Sequence, residues 1–229
     1  MKILSIGTVK EKHHLNITSI KESELSQHLE INHYDYIIIH GGDGTIRRVI
    51  KTLHTMAPHK ASFILNPTGS FNVIAKLHRV PSLKKVLEGL KNNKIPQIEP
   101  HLYYSLNQEI FLFSAGNMGD LQHIFLSETL RFGFITRGMF KYMLAFLFLL
   151  PIHLIMTPIM LLSSQKFFIF TPFSFIPKIG TFYGKIDKEI TINLKNHYNL
   201  IELDGDVVTI EEDILQIKKE STIDIVTSI

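Results

Sequence analysis

The first hundred residues alternate between two apolar patterns. Unbroken apolar runs suit buried parallel strands, while residues spaced at i, i+3, i+4, i+7 form one face of a helix. Lys2 to Val9 reads as the first strand, with Tyr36 to His40 (YIIIH) and Ser62 to Leu65 as later ones. Between those two, Ile46, Val49, Ile50 and Leu53 recur at helical spacing. Leu83, Val86, Leu87 and Leu90 repeat it behind Pro81, a residue suited to a helix start. Glu22 to Leu29 predicts a short polar helix, and Phe71 to Leu77 another. Strands and helices taking turns over short connections predict a parallel sheet wound with helices.

The pattern changes near Asn92. Ile95 to Phe113 reads as strand and turn, and Thr129 to Leu162 as apolar and helical in pieces. From Lys188 onward, Ile190, Ile192 and Leu194, then Ile201 and Leu203, then Ile223 and Ile225 alternate with polar neighbours. Period two with one polar face predicts antiparallel strands. The expected organisation is an α/β domain over residues 1–97 and a β domain over residues 98–229. Lys166 to Gly184, rich in Phe, Pro and Ile, is expected to be a loop.

Tyr142 to Gln165 contains no Lys, Arg, Asp or Glu and is long enough to span a bilayer. Pro151 and Pro158 divide it, His153 sits between them, and Lys141 and Lys166 flank it evenly. Those prolines and symmetric flanks favour two short helices, buried or touching a membrane, over a spanning helix. Met1 to Val9 has no long apolar core and no cleavage site of small residues, so it does not read as a signal peptide.

Composition narrows the chemistry. The 229 residues are 45% apolar and 20% charged, which excludes a disordered tail, a collagen-like fibre and a disulfide scaffold. The absence of cysteine removes disulfides, thiolate catalysis and cysteine metal sites, and suits a cytoplasmic protein. Lysine and arginine number 24 against 21 acids, too small an excess to suggest nucleic acid. The histidines show no zinc-ligand spacing, and no G-x-S-x-G elbow supports a serine hydrolase.

The strongest chemical signal is Gly41-Gly42-Asp43-Gly44-Thr45, set between a buried strand and an amphipathic helix. Glycines let backbone N–H groups approach a phosphate, and the helix that follows offers its positive end. Thr45 suits a helix cap or a phosphate donor. Asp43 suits Mg²⁺, a donor to be ordered, or a proton. A capped glycine turn explains the same residues without a ligand. Asn66-Pro67-Thr68-Gly69-Ser70-Phe71-Asn72 ends the next strand. In a parallel sheet both loops reach the edge where ligands bind. An ordinary Asn-Pro turn with Ser70 capping a helix is the plain alternative. Arg47 and Arg48 oppose the dipole in the following helix by up to about 1 kcal/mol each. They either meet phosphate or point to solvent.

IIIHGGDGTIRRVI followed by FILNPTGSFNVIAKL resembles the diacylglycerol kinase catalytic superfamily, which includes bacterial lipid kinases, sphingosine kinases and ceramide kinases. Phe113 to Gly119 (FSAGNMG) resembles its glycine-containing central strand, and Gly138 to Leu150 the helix after it. Leu203-Asp204-Gly205-Asp206 stands where that family carries an aspartate-glycine-glutamate signature.

The resemblance implies an N-terminal α/β nucleotide-binding domain with a parallel sheet, of the NAD kinase/diacylglycerol kinase-like kind. It implies a C-terminal antiparallel β-sandwich with a helical insertion that holds a lipid. It also implies ATP with Mg²⁺ and phosphorylation of a lipid hydroxyl. The implied nucleotide-binding residues are Gly41, Gly42, Asp43, Gly44, Thr45, Arg47, Gly69, Ser70 and Asn72. Asp206 aligns with the family's proton-accepting glutamate, Asp43 is the other acid candidate, and Asp204 is expected to position Asp206 or a metal. A lipid substrate and a peripheral membrane surface are the expected partners, a homodimer is compatible, and nucleic acid is not expected.

The departures are Ser70 for a threonine, Phe71 for a small residue and Asp206 for a glutamate. The first strand also ends in Ile6-Gly7-Thr8-Val9, not in an Asn-Pro-x-Ser-Gly loop. An NAD kinase-like enzyme, which shares G-G-D-G-T, is one alternative. A member that binds nucleotide or lipid without transferring phosphate is the other.

Overall fold

A computed structural model describes residues 1–7, 15–28, 31–56, 60–117 and 161–229, with scattered positions from 143 to 159. Most of the expected helical stretch Thr129 to Leu162, about half of Tyr142 to Gln165 and most of Gly138 to Leu150 lie outside the described residues. The chain divides into two compact units: Met1–Tyr103 with Ser221–Ile229, and Tyr104–Glu220.

In the first unit β1 (Ile3–Ile6), β2 (Ile17–Ile20), β3 (Tyr36–Gly41) and β4 (Ser62–Pro67) form a parallel sheet in the order β2-β1-β3-β4. A 3-10 turn at Glu22–Gln27 stands where a polar helix was expected. β2 had no signal in the sequence. It has four residues and no buried one, so the alternation that marks a strand is missing.

Helix α1 (Asp43–His54) follows β3, and α2 (Val73–Leu77) and α3 (Leu83–Lys91) follow β4. The predicted apolar stripe of α1 is the buried one: Ile46, Val49, Ile50 and Leu53. Val86, Leu87 and Leu90 of α3 pack with Ile3, Ile38, Ile64 and Val226 on one face of the sheet. Strand alternation turns Ile37, Ile39, Phe63 and Leu65 to the other face. Ser82 caps α3 by accepting the Lys85 N–H.

Two strands run across the division of the units. β5 (Gln97–Leu106) leaves the first unit and turns antiparallel into β6 (Glu109–Phe111). The second unit continues with β7 (Ser114–Gly116), β8 (Phe168–Phe170), β9 (Lys178–Ile179), β10 (Phe182–Tyr183), β11 (Ile190–Asn193), β12 (Asn199–Leu203) and β13 (Asp206–Ile210). β14 (Ile214–Ser228) then returns to the first unit, where Ile225 pairs parallel with Phe63 of β4.

A sheet in the order β13-β12-β7-β8-β10-β9 is antiparallel except where β10 meets β8. The loop expected over Lys166 to Gly184 instead holds β8, β9 and β10, tied by contacts among Phe168, Phe170, Phe173 and Phe182. Strands of two or three residues are too short to show a period, so aromatic packing defines them. No helix among the described residues is long and apolar enough to cross a membrane.

Candidate functional site

The parallel sheet ends its strands at one edge, and two of its loops are joined there. Gly41 and Pro67 are paired in the register of β3 with β4, and Thr68 N–H donates to Gly41 O at 3.1 Å. A Cβ on Gly69 would lie 2.7 Å from the Cα of Gly42 and 2.9 Å from Asn72 Oδ1. The loops therefore touch backbone to backbone, and glycine is needed at 69 for that approach. Gly41 lies under Thr45, whose side chain would stand 2.4 Å from an added Cβ.

Asp43 fastens this junction. Its carboxylate accepts the N–H groups of Val73 at 2.8 Å and Ile74 at 3.1 Å, the first two residues of α2. One acid at the start of α1 thus caps the helix of the neighbouring loop, which is also the favourable end of the α2 dipole. Asp43 is 7% exposed, and burial raises its carboxyl above the usual range despite the opposing pull of both amides and Lys76. Each of its oxygens accepts one N–H and keeps a second lone-pair direction, so the carboxylate both caps α2 and retains acceptor capacity toward the loop edge. Among the described residues no three His, Asp or Glu side chains gather as metal ligands.

Asn72 holds the second loop. At φ 50° it adopts the left-handed conformation that Asn tolerates. Its Oδ1 accepts Gly69 N–H at 3.0 Å, and its Nδ2 donates to Gly69 O at 2.7 Å. Asn72, rather than Ser70, is the N-cap of α2, and Ser70 and Phe71 are exposed. Thr45 is likewise not the cap of α1, which begins behind Gly42. Gly44 and Thr45 belong to the first turn of α1, where N–H groups have no carbonyl one turn earlier to bond. Free N–H groups and the positive end of the helix dipole therefore meet at that turn. Arg47 is buried within α1, while Arg48 pairs with Glu22 at 2.6 Å.

Beneath the loops, three strand ends are linked through His40. Ser5 Oγ donates to Gly7 O at 3.0 Å and so accepts from His40 Nε2 at 3.1 Å. His40 Nδ1 then accepts from Asn66 Nδ2 at 2.8 Å. The chain of donors requires a neutral ring, and burial lowers the affinity of His40 for a second proton. His40 thus ties the strand ends together. Its partners Ser5 and Asn66 escaped the sequence, since nothing local connects polar residues at three separate strand ends.

In the second unit Asp204 is 3% exposed. Its carboxylate accepts the N–H groups of Leu112 at 2.6 Å and of Phe113 and Ser114, each at 2.9 Å. Asp204 and Gly205 have φ of 51° and 91°, and Leu203 pairs with Asp206. This is a two-residue hairpin loop with both central residues at positive φ, as an Asp-Gly pair favours. Asp206 opens β13 half-exposed. Glu202, which the sequence did not single out, is buried and accepts from Ser114 Oγ at 3.1 Å and from Gly205 N–H.

Residues 5–100 match the diacylglycerol kinase catalytic domain. That match takes in the end of β1, all of β2, β3 and β4, both strand-end loops, α1, α2 and α3. A crystal structure of a diacylglycerol kinase from Bacillus anthracis str. Sterne aligns over 99% of this chain and 97% of its own, with a TM-score of 0.55 and 14% identity. Identity this low shows a shared fold alone. An NAD kinase from Archaeoglobus fulgidus in complex with ATP aligns over 99% of this chain and 93% of its own, with a TM-score of 0.43 and 12% identity. No curated protein matches the chain. The mixed architecture, a parallel sheet and a separate antiparallel one, agrees with the fold expected for the diacylglycerol kinase superfamily.

Proposed function

We infer that this chain is a lipid kinase that transfers the γ-phosphoryl group of ATP to a lipid hydroxyl. The observation that carries the reading is the junction of Gly42 with Gly69 beside the first turn of α1, inside the segment that matches the diacylglycerol kinase catalytic domain. The phosphates of ATP meet the N–H groups of Gly44 and Thr45 and the positive end of α1. Mg²⁺ would accompany the nucleotide phosphates and would offset their charge, with Asp43 the nearest acid of the glycine loop.

The lipid hydroxyl oxygen forms a bond to the γ-phosphorus while the bond to the bridging oxygen breaks. ADP leaves, and the hydroxyl proton passes to the carboxylate of Asp206. The acceptor is met at a membrane surface from the cytoplasmic side, as a peripheral protein. Carbonate or high-salt washing of membranes therefore releases it.

Labelled ATP offered with vesicles of diacylglycerol or sphingosine, and separately with NAD, tests this reading. Labelled lipid is the expected product. Labelled NADP would make the chain an NAD kinase. No labelled product from folded protein that still binds ATP would make it a non-transferring member.

A further inference from the structure

The first unit carries a cavity of about 430 Å³ that no part of the proposed reaction uses. It lies at the opposite end of the parallel sheet from the glycine loops, where β4 begins and α1 ends. Buried Ile50, Leu53, Phe63 and Ile223 give it an apolar floor. At its side His54 Nδ1 and the hydroxyl of Tyr103 are hydrogen-bonded at 3.0 Å. Among the described residues, its rim carries Lys60 and Asp224, one cation and one anion.

We propose that this cavity is a second ligand site, for a small uncharged molecule with one apolar end and one hydroxyl-like end. A volume of this size is that of a small-molecule pocket. The apolar floor selects for an apolar body, whose transfer from water supplies the binding energy. Lys60 and Asp224 balance in sign, so the described lining favours an uncharged ligand. The hydroxyl of Thr222, exposed at the rim, offers a hydrogen-bonding group for the polar end.

The cavity also has a structural route to the nucleotide loops. α1 begins at Asp43 of the glycine loop and ends with Ile50, Leu53 and His54 on the cavity wall. β4 begins with Phe63 on the wall and ends at Asn66 and Pro67, which open the second loop. A ligand that shifts the end of either element acts on a loop through a rigid segment. By linkage, whatever binds at the loops acts back on the cavity with the same factor.

Methyl-labelled methionine provides the test, because Met56 lines the cavity. The probe is 2-naphthol, titrated into the full chain, with the Met56 resonance assigned by its disappearance in Met56→Leu. Its methyl signal is expected to move saturably, and the amide signals of Gly42, Gly44 and Gly69 to move with the same midpoint. Thr222→Trp, at an exposed rim position, should fill the mouth and abolish the saturable shift while the remaining spectrum stays dispersed. A Met56 signal that never saturates in folded protein overturns the site, as does an undiminished shift in Thr222→Trp. Stationary glycine amides beside a moving Met56 signal overturn the coupling. None of these readouts uses nucleotide, so failure of the kinase reading would leave them intact.

Discussion

The carboxylate of Asp43 accepts the N–H of Val73 at 2.8 Å, so the acid of the glycine loop caps a helix that begins after the next strand. This bond converts two separate loops into one rigid edge. Asp43→Ala would strip two acceptors from the first turn of α2 and should cost about 1–2 kcal/mol, the range for a lost cap. Burial raises the Asp43 carboxyl, so the folded state holds a proton more tightly than the unfolded chain. Its contribution is full below the ordinary carboxylate value and is lost as pH rises through the raised folded value. Urea denaturation across that window should show this decline in the unmodified protein and none in Asp43→Asn.

Gly69 tests whether the loops must touch. Alanine there would bring its Cβ to 2.7 Å from Gly42 Cα, a separation that forces the loops apart. Gly69→Ala should weaken ATP binding, measured by calorimetry, with the far-UV spectrum unchanged. Gly42→Ala meets its neighbour at 3.1 Å and should weaken it less. Equal, undiminished affinity in both would show that the phosphates bind elsewhere.

Much of this edge could be read beforehand. Ile46, Val49, Ile50 and Leu53 are spaced for burial and are buried, because a helix face depends on neighbours three and four residues apart. Asp204-Gly205 makes its hairpin for an equally local reason. The role of Asp43 was not legible, since its partners Val73 and Ile74 lie far along the chain. For the same reason the alternation of Ile223 and Ile225 predicted a strand but not its return beside β4. Period two specifies a face, and the partner strand is chosen by long-range packing.

His40 gives a pH dependence of the opposite sign. Its burial lowers the imidazole below its ordinary value of about 6.5. Between the lowered value and the ordinary one, the unfolded chain binds more protons than the folded one. The stability it contributes is therefore full above pH of about 6.5 and is lost as pH falls toward the lowered value. Protonation also removes the acceptor that Asn66 requires at Nδ1. His40→Gln should flatten the slope of stability against pH in that interval, followed by denaturation at several pH values.

Asp204 and Asp206 are two residues apart and should respond to mutation in different ways. Asp204 accepts three backbone N–H groups in the interior. Its removal leaves those donors buried without their acceptor, so Asp204→Ala should cost about 3 kcal/mol or more. Asp206 is half-exposed at the start of β13, and Asp206→Asn should shift the denaturation midpoint far less than Asp204→Ala. If Asp206 takes the hydroxyl proton, the same substitution should lower kcat by about 10²–10⁴-fold, the range for a general base. ATP affinity should not move. Asp206→Glu should keep or raise activity, because it retains the carboxylate and extends its reach. Denaturation and a labelled-phosphate assay on the three variants separate these effects. A full-rate Asp206→Asn enzyme would remove Asp206 from the chemistry and leave Asp43 as the acid to test next.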